Sequence, residues 1–406
     1  MSTPSTFPIV SGGITLPEGF VAGAVYAGIK PGNADKRDFA LILSQGPTVA
    51  AATFTTNKIK AAPVRVSQAN IRGGDIRGIL LNSGNANACN GIIGIQHAKR
   101  TIKAVAKVFG LKDRQLLVCS TGRIGVELPI EKMEKAASLF PGVLSRKGSH
   151  KTAKAIMTSD TFAKEIALQI EVGGCKISIG GIAKGAGMIN PNMATMLSVV
   201  TTDLAIEKKE LQRALSIAVE QSYNRITVDG DMSTNDTVIL LANGAAGGET
   251  VTCEHPGFAR FQEALNFVTR NLARMIVEDG EGVSKFVEVQ VNGAATFQDA
   301  RKVANAIANS TLVKCAWNGE DPNWGRIMDA IGYSTARARE EMIDIYYDGL
   351  LAVKNGMKSA TPLKALRSVM KKRKFKVTVD LHLGTAQYII YTTDLTAEYV
   401  KLNKGE

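Results

Sequence analysis

Between Lys184 and Asp203 the chain reads Lys-Gly-Ala-Gly-Met-Ile-Asn-Pro-Asn-Met-Ala-Thr-Met-Leu-Ser-Val-Val-Thr-Thr-Asp. A Gly-rich, Pro-containing loop turns at Thr195 into β-branched and apolar text, which predicts a strand from Met196 onward. On composition alone Thr195 only opens that strand. A different chemistry appears if the Ala194–Thr195 bond is cut. A threonine at a chain N-terminus carries its own base, because its α-amine has a reference pKa of roughly 7.7–8.0 and is partly neutral near pH 7. That amine can take the hydroxyl proton without any histidine. Glycines ahead of the threonine (Gly185 and Gly187) let the backbone strain towards attack on the Ala194 carbonyl. An N-to-O acyl shift and hydrolysis of the resulting ester would then free the amine.

Other reactive side chains form no comparable pattern. His97, His150, His255 and His382 are scattered, so a Ser-His-Asp or metal-hydrolase arrangement gains no support. Cys89, Cys119, Cys175, Cys253 and Cys315 are odd in number and show no CxxC pair, which suggests neither a disulfide frame nor a zinc site. Asp229 and Asp231 are spaced either as a hard-metal pair or as part of a turn. The acidic loop Glu278-Asp279-Gly280-Glu281-Gly282 suits a metal, a cationic substrate group or plain solvation. A net charge of +12 could attract nucleic acid, an anionic membrane or an acidic small molecule. Its densest text, Lys371-Lys372-Arg373-Lys374, closes a predicted helix and lacks interleaved aromatics, so it reads as a solvated face.

The elements that must hold these residues follow from periodicity. Phe39–Leu43 and Val49–Phe54 read as strands between tight turns, and Ile76–Leu81 as a buried strand. That strand runs into Asn82-Ser83-Gly84-Asn85-Ala86-Asn87-Ala88-Cys89, a turn whose side chains bond local backbone. A helix follows, with Ala98, Ile102, Val105, Ala106 and Phe109 on one face and Gly110 as C-cap. The strand Gln115–Cys119 delivers Ser120-Thr121-Gly122-Arg123, where a hydroxyl and a backbone N–H can face a cleft. Ala155 to Thr161 reads as a helix N-cap with backbone-bonding hydroxyls, and Cys175–Ile182 as the strand into Lys184. Beyond the junction come a helix over about 208–223, a turn-rich stretch 224–236, the strand Thr237–Ala242 and a helix over about 257–276. Residues 284–406 change rhythm, with Phe286–Val291 alternating, a helix over about 299–309, a compact turn at Asp321–Arg326 and strands near 343–347, 375–381 and 386–391. The expected division is a core over 1–283 and a smaller α+β domain over 284–406.

The string from Lys184 to Leu197 closely resembles the self-cleavage segment of the ornithine acetyltransferases, also called glutamate N-acetyltransferases. Their pattern is Lys-Gly-small-Gly-Met-Ile-x-Pro-Asn-Met-Ala-Thr-Met-Leu, matched throughout. The likeness extends from Gly12, Gly13, Pro17 and Gly19, through Ala27–Lys30, Thr55-Thr56-Asn57 and Ala61–Val64, to Asn403. It implies an N-terminal-nucleophile-like layered sandwich that cuts itself between Ala194 and Thr195. It also implies acetyl transfer from N-acetylornithine to glutamate through an ester on Thr195, within arginine biosynthesis. Thr121 and Gly122 fall on the family's oxyanion pair, and Thr158, Lys184, Glu281 and Asn403 on its substrate contacts. A lysine beside the nucleophile suits a carboxylate-bearing substrate and helps keep a neighbouring amine neutral. The family needs no metal and no cofactor, which makes Asp229 and Asp231 turn residues; its pattern matches here except at Met232, usually a small residue. After Asn403 the family runs on to a tyrosine and a terminal hydroxyl residue, where this sequence has Lys404-Gly405-Glu406.

The resemblance further implies α and β chains, 1–194 and 195–406, assembled as α2β2. Acetyl-CoA as an additional donor stays open at this level. No apolar run spans a bilayer and the N-terminal text lacks the basic and apolar regions of a signal peptide, so the expected compartment is the cytoplasm. Two rivals remain: a self-cleaving aminopeptidase or amidase of similar architecture, and a basic nucleic-acid-binding protein.

Overall fold

The computed structural model describes residues 7–30, 36–190 and 196–404. They divide into two units: residues 1–185, 192–224 and 232–276 supply the first, and 186–191, 225–231 and 277–406 the second. Two short excursions of the N-terminal two-thirds of the chain thus pack with the C-terminal unit, which linear reading does not anticipate.

The described strands of the first unit are β1 (Ile9–Val10), β2 (Phe20–Val25), β3 (Phe39–Ser44), β4 (Val49–Phe54), β5 (Gly78–Asn82), β6 (Leu116–Ser120), β7 (Lys164–Val172), β8 (Cys175–Lys184), β9 (Leu197–Thr202) and β10 (Thr237–Ala242). Its helices are α1 (Ala62–Asn70), α2 (Gly91–Phe109), α3 (Ile130–Ala137), α4 (Ser149–Ala155), α5 (Lys208–Glu220) and α6 (Gly257–Glu278). The strands form two sheets, ordered β1-β7-β8-β9-β10-β4 and β2-β3-β5-β6. The β9–β10 and β5–β6 pairs are parallel and the other pairings antiparallel.

One apolar cluster joins the sheets face to face, with Phe20, Ile42, Ile79 and Leu81 from one and Ile182, Val199, Ile239 and Leu241 from the other. The opposite face of the four-stranded sheet offers Leu41, Leu80 and Val118 to Ala98, Ile102 and Val105 of α2 and to Met133 of α3. Strands covered on both faces need near-continuous apolar text, and "FALILS", "GILLN" and "LLVCS" supply it. On the six-stranded sheet, Gly181 makes room for α6: a Cβ there would sit 2.8 Å from Leu272 Cδ1 and 3.2 Å from Val268 Cγ1. Gln212 Oε1 of α5 accepts the Ala52 N–H of β4 at 3.2 Å. The order of layers is helix, sheet, sheet, helix, the expected layered sandwich. Helix α2 stops as read, with Gly110 left-handed (φ 64°).

The second unit adds β11 (Phe286–Ala294), α7 (Phe297–Asn309), α8 (Thr311–Asn318), α9 (Trp324–Tyr333), β12 (Asp344–Tyr347), β13 (Leu350–Lys354), β14 (Met357–Lys358), α10 (Leu363–Met370), β15 (Lys374–Asp380), β16 (Ala386–Thr393) and α11 (Ala397–Leu402). Its sheet is ordered β14-β13-β12-β15-β11-β16, and Val287, Val289 and Val291 pack with Val303, Ile307 and Trp317 in its core.

Two local expectations need correction. Asp321–Arg326 is not a free-standing turn, because the Asn323 side chain accepts the Arg326 N–H at 3.2 Å and caps α9. Residues 155–161 do not start a helix; α4 ends at Ala155, and the Thr158 hydroxyl and Asp160 carboxylate beyond it turn towards the end of β8. Among the described residues no helix is long and apolar enough to cross a membrane.

Candidate active site

In the first unit the ends of β6, β8 and α4 meet. Lys184, the last residue of β8, is 2% exposed. Its Nζ donates to Thr158 Oγ1 at 2.8 Å and to Thr121 Oγ1 at 3.3 Å. Three residues that the sequence singles out separately, spread over 63 positions, therefore share one hydrogen-bonded cluster. Ala194 and Thr195 lie outside the described residues.

The cluster is held by a carboxylate that sequence reasoning missed. Asp160 Oδ1 accepts Lys164 Nζ at 2.6 Å and the Gly185 N–H at 2.7 Å, while Oδ2 accepts the Thr158 N–H at 3.0 Å and lies 3.9 Å from Lys184 Nζ. Burial pushes the Asp160 carboxyl up, but Lys184, Lys164 and the Gly185 N–H outweigh it and bring it down to about 2. Asp160 is thus an anion between two buried cations, and it sets both the Thr158 backbone and the turn out of β8.

Thr121 and Gly122 follow β6 directly. The Thr121 N–H is committed to Asn82 O at 3.0 Å. Among the described residues nothing accepts the Thr121 hydroxyl proton or the Gly122 N–H. Two donors on neighbouring residues are therefore left for an acceptor from outside the scaffold. Gly122 has φ 132°, and a Cβ there would fall 2.3 Å from Gly84 C and 2.4 Å from Asn85 N. Backbone cannot yield as a side-chain tip can. Gly122→Ala is expected to lower the unfolding free energy by about 2–3 kcal/mol, read as a fall in the urea midpoint; an unchanged midpoint would contradict the close approach.

The turn before β10 ties these strand ends together. Asn235 is buried and its Nδ2 donates to Ala86 O at 2.7 Å and to Ser120 O at 2.8 Å, fixing the carbonyl just before Thr121. Asp236 is fully buried, with Oδ1 on the Met196 N–H at 2.8 Å. Burial pushes its carboxyl well above the usual carboxylate range, against the pull of the Met196 N–H and of Lys184. For Asp236 one signal was present: "NDTVILL" sets a carboxylate directly before an unbroken apolar strand, where a solvated charge is hard to place. The Asn82–Cys89 turn satisfies itself as read, with Asn82 Nδ2 on Asn85 O at 2.9 Å and Asn85 Oδ1 accepting the Asn87 N–H at 2.8 Å.

The second unit brings Glu281 and Asn403 together: Asn403 Nδ2 donates to Glu281 Oε2 at 2.9 Å and to Tyr399 O at 2.9 Å. The Glu281 N–H is held by Ala186 O at 3.0 Å, and a Cβ on Gly187 would lie 2.4 Å from Glu281 Oε2, so the glycine leaves space for this carboxylate. Asp229 accepts the N–H groups of Ile189 and Asp231 at 2.9 and 3.1 Å and the Tyr399 hydroxyl at 3.2 Å. It is a turn residue, and no group of metal-ligating side chains occurs among the described residues.

The first unit is thus a layered α/β sandwich that carries a buried Lys-Thr-Asp cluster where its strands end. The chain belongs to the ArgJ family, whose model matches residues 21–405. It is 46% identical over 388 residues to the arginine biosynthesis bifunctional protein ArgJ of Geobacter sulfurreducens, covering 95% of this chain and 98% of that one. It is 44% identical over 407 residues to the glutamate N-acetyltransferase of Methanocaldococcus jannaschii, covering 97% and 98%. A crystal structure of ArgJ from Bacillus halodurans is 42% identical, covers 51% of this chain and 97% of that one, and superposes with a TM-score of 0.49.

Proposed function

We propose that this chain cuts itself between Ala194 and Thr195 and then carries an acetyl group from N-acetylornithine to glutamate, in arginine biosynthesis. Thr195 Oγ attacks the acetyl carbonyl, its proton passing to the freed α-amine. The C–N bond breaks, and ornithine leaves with that proton. The glutamate amine then attacks the ester, and N-acetylglutamate departs as the hydroxyl regains a proton. Thr121 and Gly122 supply the two donors for the tetrahedral oxyanion of each half-reaction, an arrangement worth on the order of 10²–10³ per donor. Lys184 and Thr158 take a substrate carboxylate, and Glu281 with Asn403 takes an amino cation of the substrate, where a carboxylate suits an ammonium. No metal or cofactor enters these steps.

The observation that supports this reading most is the Lys184–Thr158–Thr121 cluster, which joins residues the family pattern names at three separate places. The same reading gives a catalytic core over 1–283, a C-terminal domain over 284–406, α and β chains in an α2β2 assembly, and a place in the cytoplasm. Its test is an intact mass of freshly made protein followed by an assay with N-acetylornithine and glutamate. Two chains parted at Ala194–Thr195 and stoichiometric ornithine and N-acetylglutamate are expected. Acetate release without transfer would replace the reading by a self-cleaving amidase. Acetyl-CoA in place of N-acetylornithine decides whether a thioester also loads the enzyme.

A further inference from the structure

Asp236 is the fully buried carboxyl at the start of β10, and its two oxygens are used unequally. Oδ1 accepts the Met196 N–H at 2.8 Å. Oδ2 has no hydrogen-bond partner among the described residues, and the nearby Thr55 hydroxyl gives its proton to Ser233 O at 2.8 Å instead.

Register explains why the grip falls on Met196. Strands β9 and β10 run parallel with Thr237 opposite Leu197, so Asp236 and Met196 immediately precede the first pair. The Thr237 N–H donates to Met196 O at 3.1 Å, so Met196 is held at both its N–H and its carbonyl. The grip itself is anchored: Asp236 O accepts the Thr55 N–H at 2.9 Å just beyond β4, and Asn235 reaches Ser120 O and Ala86 O. Met196 N is bonded to the carbonyl carbon of residue 195, and the peptide unit is planar. Whatever fixes that N–H therefore fixes the bond from which residue 195 extends.

We propose that Asp236 is the positioning residue for the Thr195 nucleophile, acting through its hold on the Met196 N–H in both self-cleavage and acetyl transfer. The inference rests on the function proposed above. Burial raises this carboxyl well above the usual carboxylate range, against the pull of the Met196 N–H.

The full-length chain provides the test. Asp236→Asn keeps a neutral group with an oxygen for the Met196 N–H; Asp236→Ala removes it. Cleavage is followed by denaturing gel, and kcat and KM are measured on the cut fraction. Asp236→Asn is expected to cut and transfer within about fivefold of the parent. Asp236→Ala is expected to lose on the order of 10² in cleavage rate and in kcat, with KM within about twofold, the penalty of a misplaced reacting group. A purely structural residue would lower the yield of folded chain and leave kcat of the folded enzyme unchanged, and that result overturns the proposal. So does an Asp236→Asn as slow as Asp236→Ala. If Asp236→Ala fails to fold, Asp236→Val, closer in size and also without an acceptor, takes its place. A parent that neither cuts nor transfers defeats the functional reading itself; a parent that does both beside an equally active Asp236→Ala defeats this proposal alone.

Discussion

Thr195→Ala is expected to leave one uncut polypeptide of 406 residues and to lower acetyl transfer by on the order of 10⁴–10⁶. Two losses coincide in this variant. Without the hydroxyl there is no N-to-O acyl shift, so the α-amine that serves as base is never released. Without the hydroxyl there is also no ester to carry the acetyl group, even if the chain were cut by other means. Thr195→Ser separates sterics from chemistry: it keeps the nucleophile, loses one methyl group, and is expected to cut and transfer more slowly than the parent but measurably. An intact-mass time course with an ornithine-release assay reads both variants. A Thr195→Ala chain that cuts, or that transfers acetyl at a rate near the parent's, would show that another group holds the acyl intermediate.

How far the sequence foretells this site depends on what kind of signal each residue leaves. The sandwich strands were legible because burial on both faces demands unbroken apolar text, as in Phe39–Ser44 and Thr237–Ala242. The stop of α2 was legible because Gly110 supplies a left-handed C-cap. Thr195, Thr121, Thr158 and Lys184 came from a resemblance, since no periodicity marks a threonine as reactive. Asp160, Asn235 and Asp236 stayed hidden for a physical reason. Each relies on backbone N–H or C=O groups brought close only by folding: Gly185 lies 25 residues from Asp160, and Ser120 lies 115 from Asn235. Glu281 and Asn403 pair across 122 residues for the same reason. The segment 186–191 joins the second unit although it directly continues β8 of the first. Hydropathy carries no trace of that switch, because it depends on which carbonyls meet which N–H groups, such as Thr227 Oγ1 on Ile189 O at 3.0 Å.

Asp160→Asn is the substitution outside the nucleophile with the largest expected effect. The parent carboxylate serves two buried cations and two N–H groups at once. An amide offers one oxygen, so one N–H faces an NH2 group, and Lys164, fully buried, loses the charge of this carboxylate at 2.6 Å. Removing one partner of a buried ion pair costs about 3–5 kcal/mol, chiefly for the charge left behind. Activity should fall as well, because the Thr158 backbone and Lys184 lose the group that holds them in register. The pH dependence gives an independent reading. The folded carboxyl, at about 2, lies below its usual 3.8, so its contribution is fully present above pH 3.8 and disappears as pH falls towards 2. The parent's urea midpoint should therefore drop between pH 4 and pH 2 by more than that of Asp160→Asn, which has no such proton to take up. Asp160→Asn combined with Lys164→Met should regain part of the stability, since the buried cation facing the amide is removed, but not the activity, since Thr158 and Lys184 still lack the carboxylate. Parental stability and kcat in Asp160→Asn would mean that Lys184 is held in place by something other than this carboxylate.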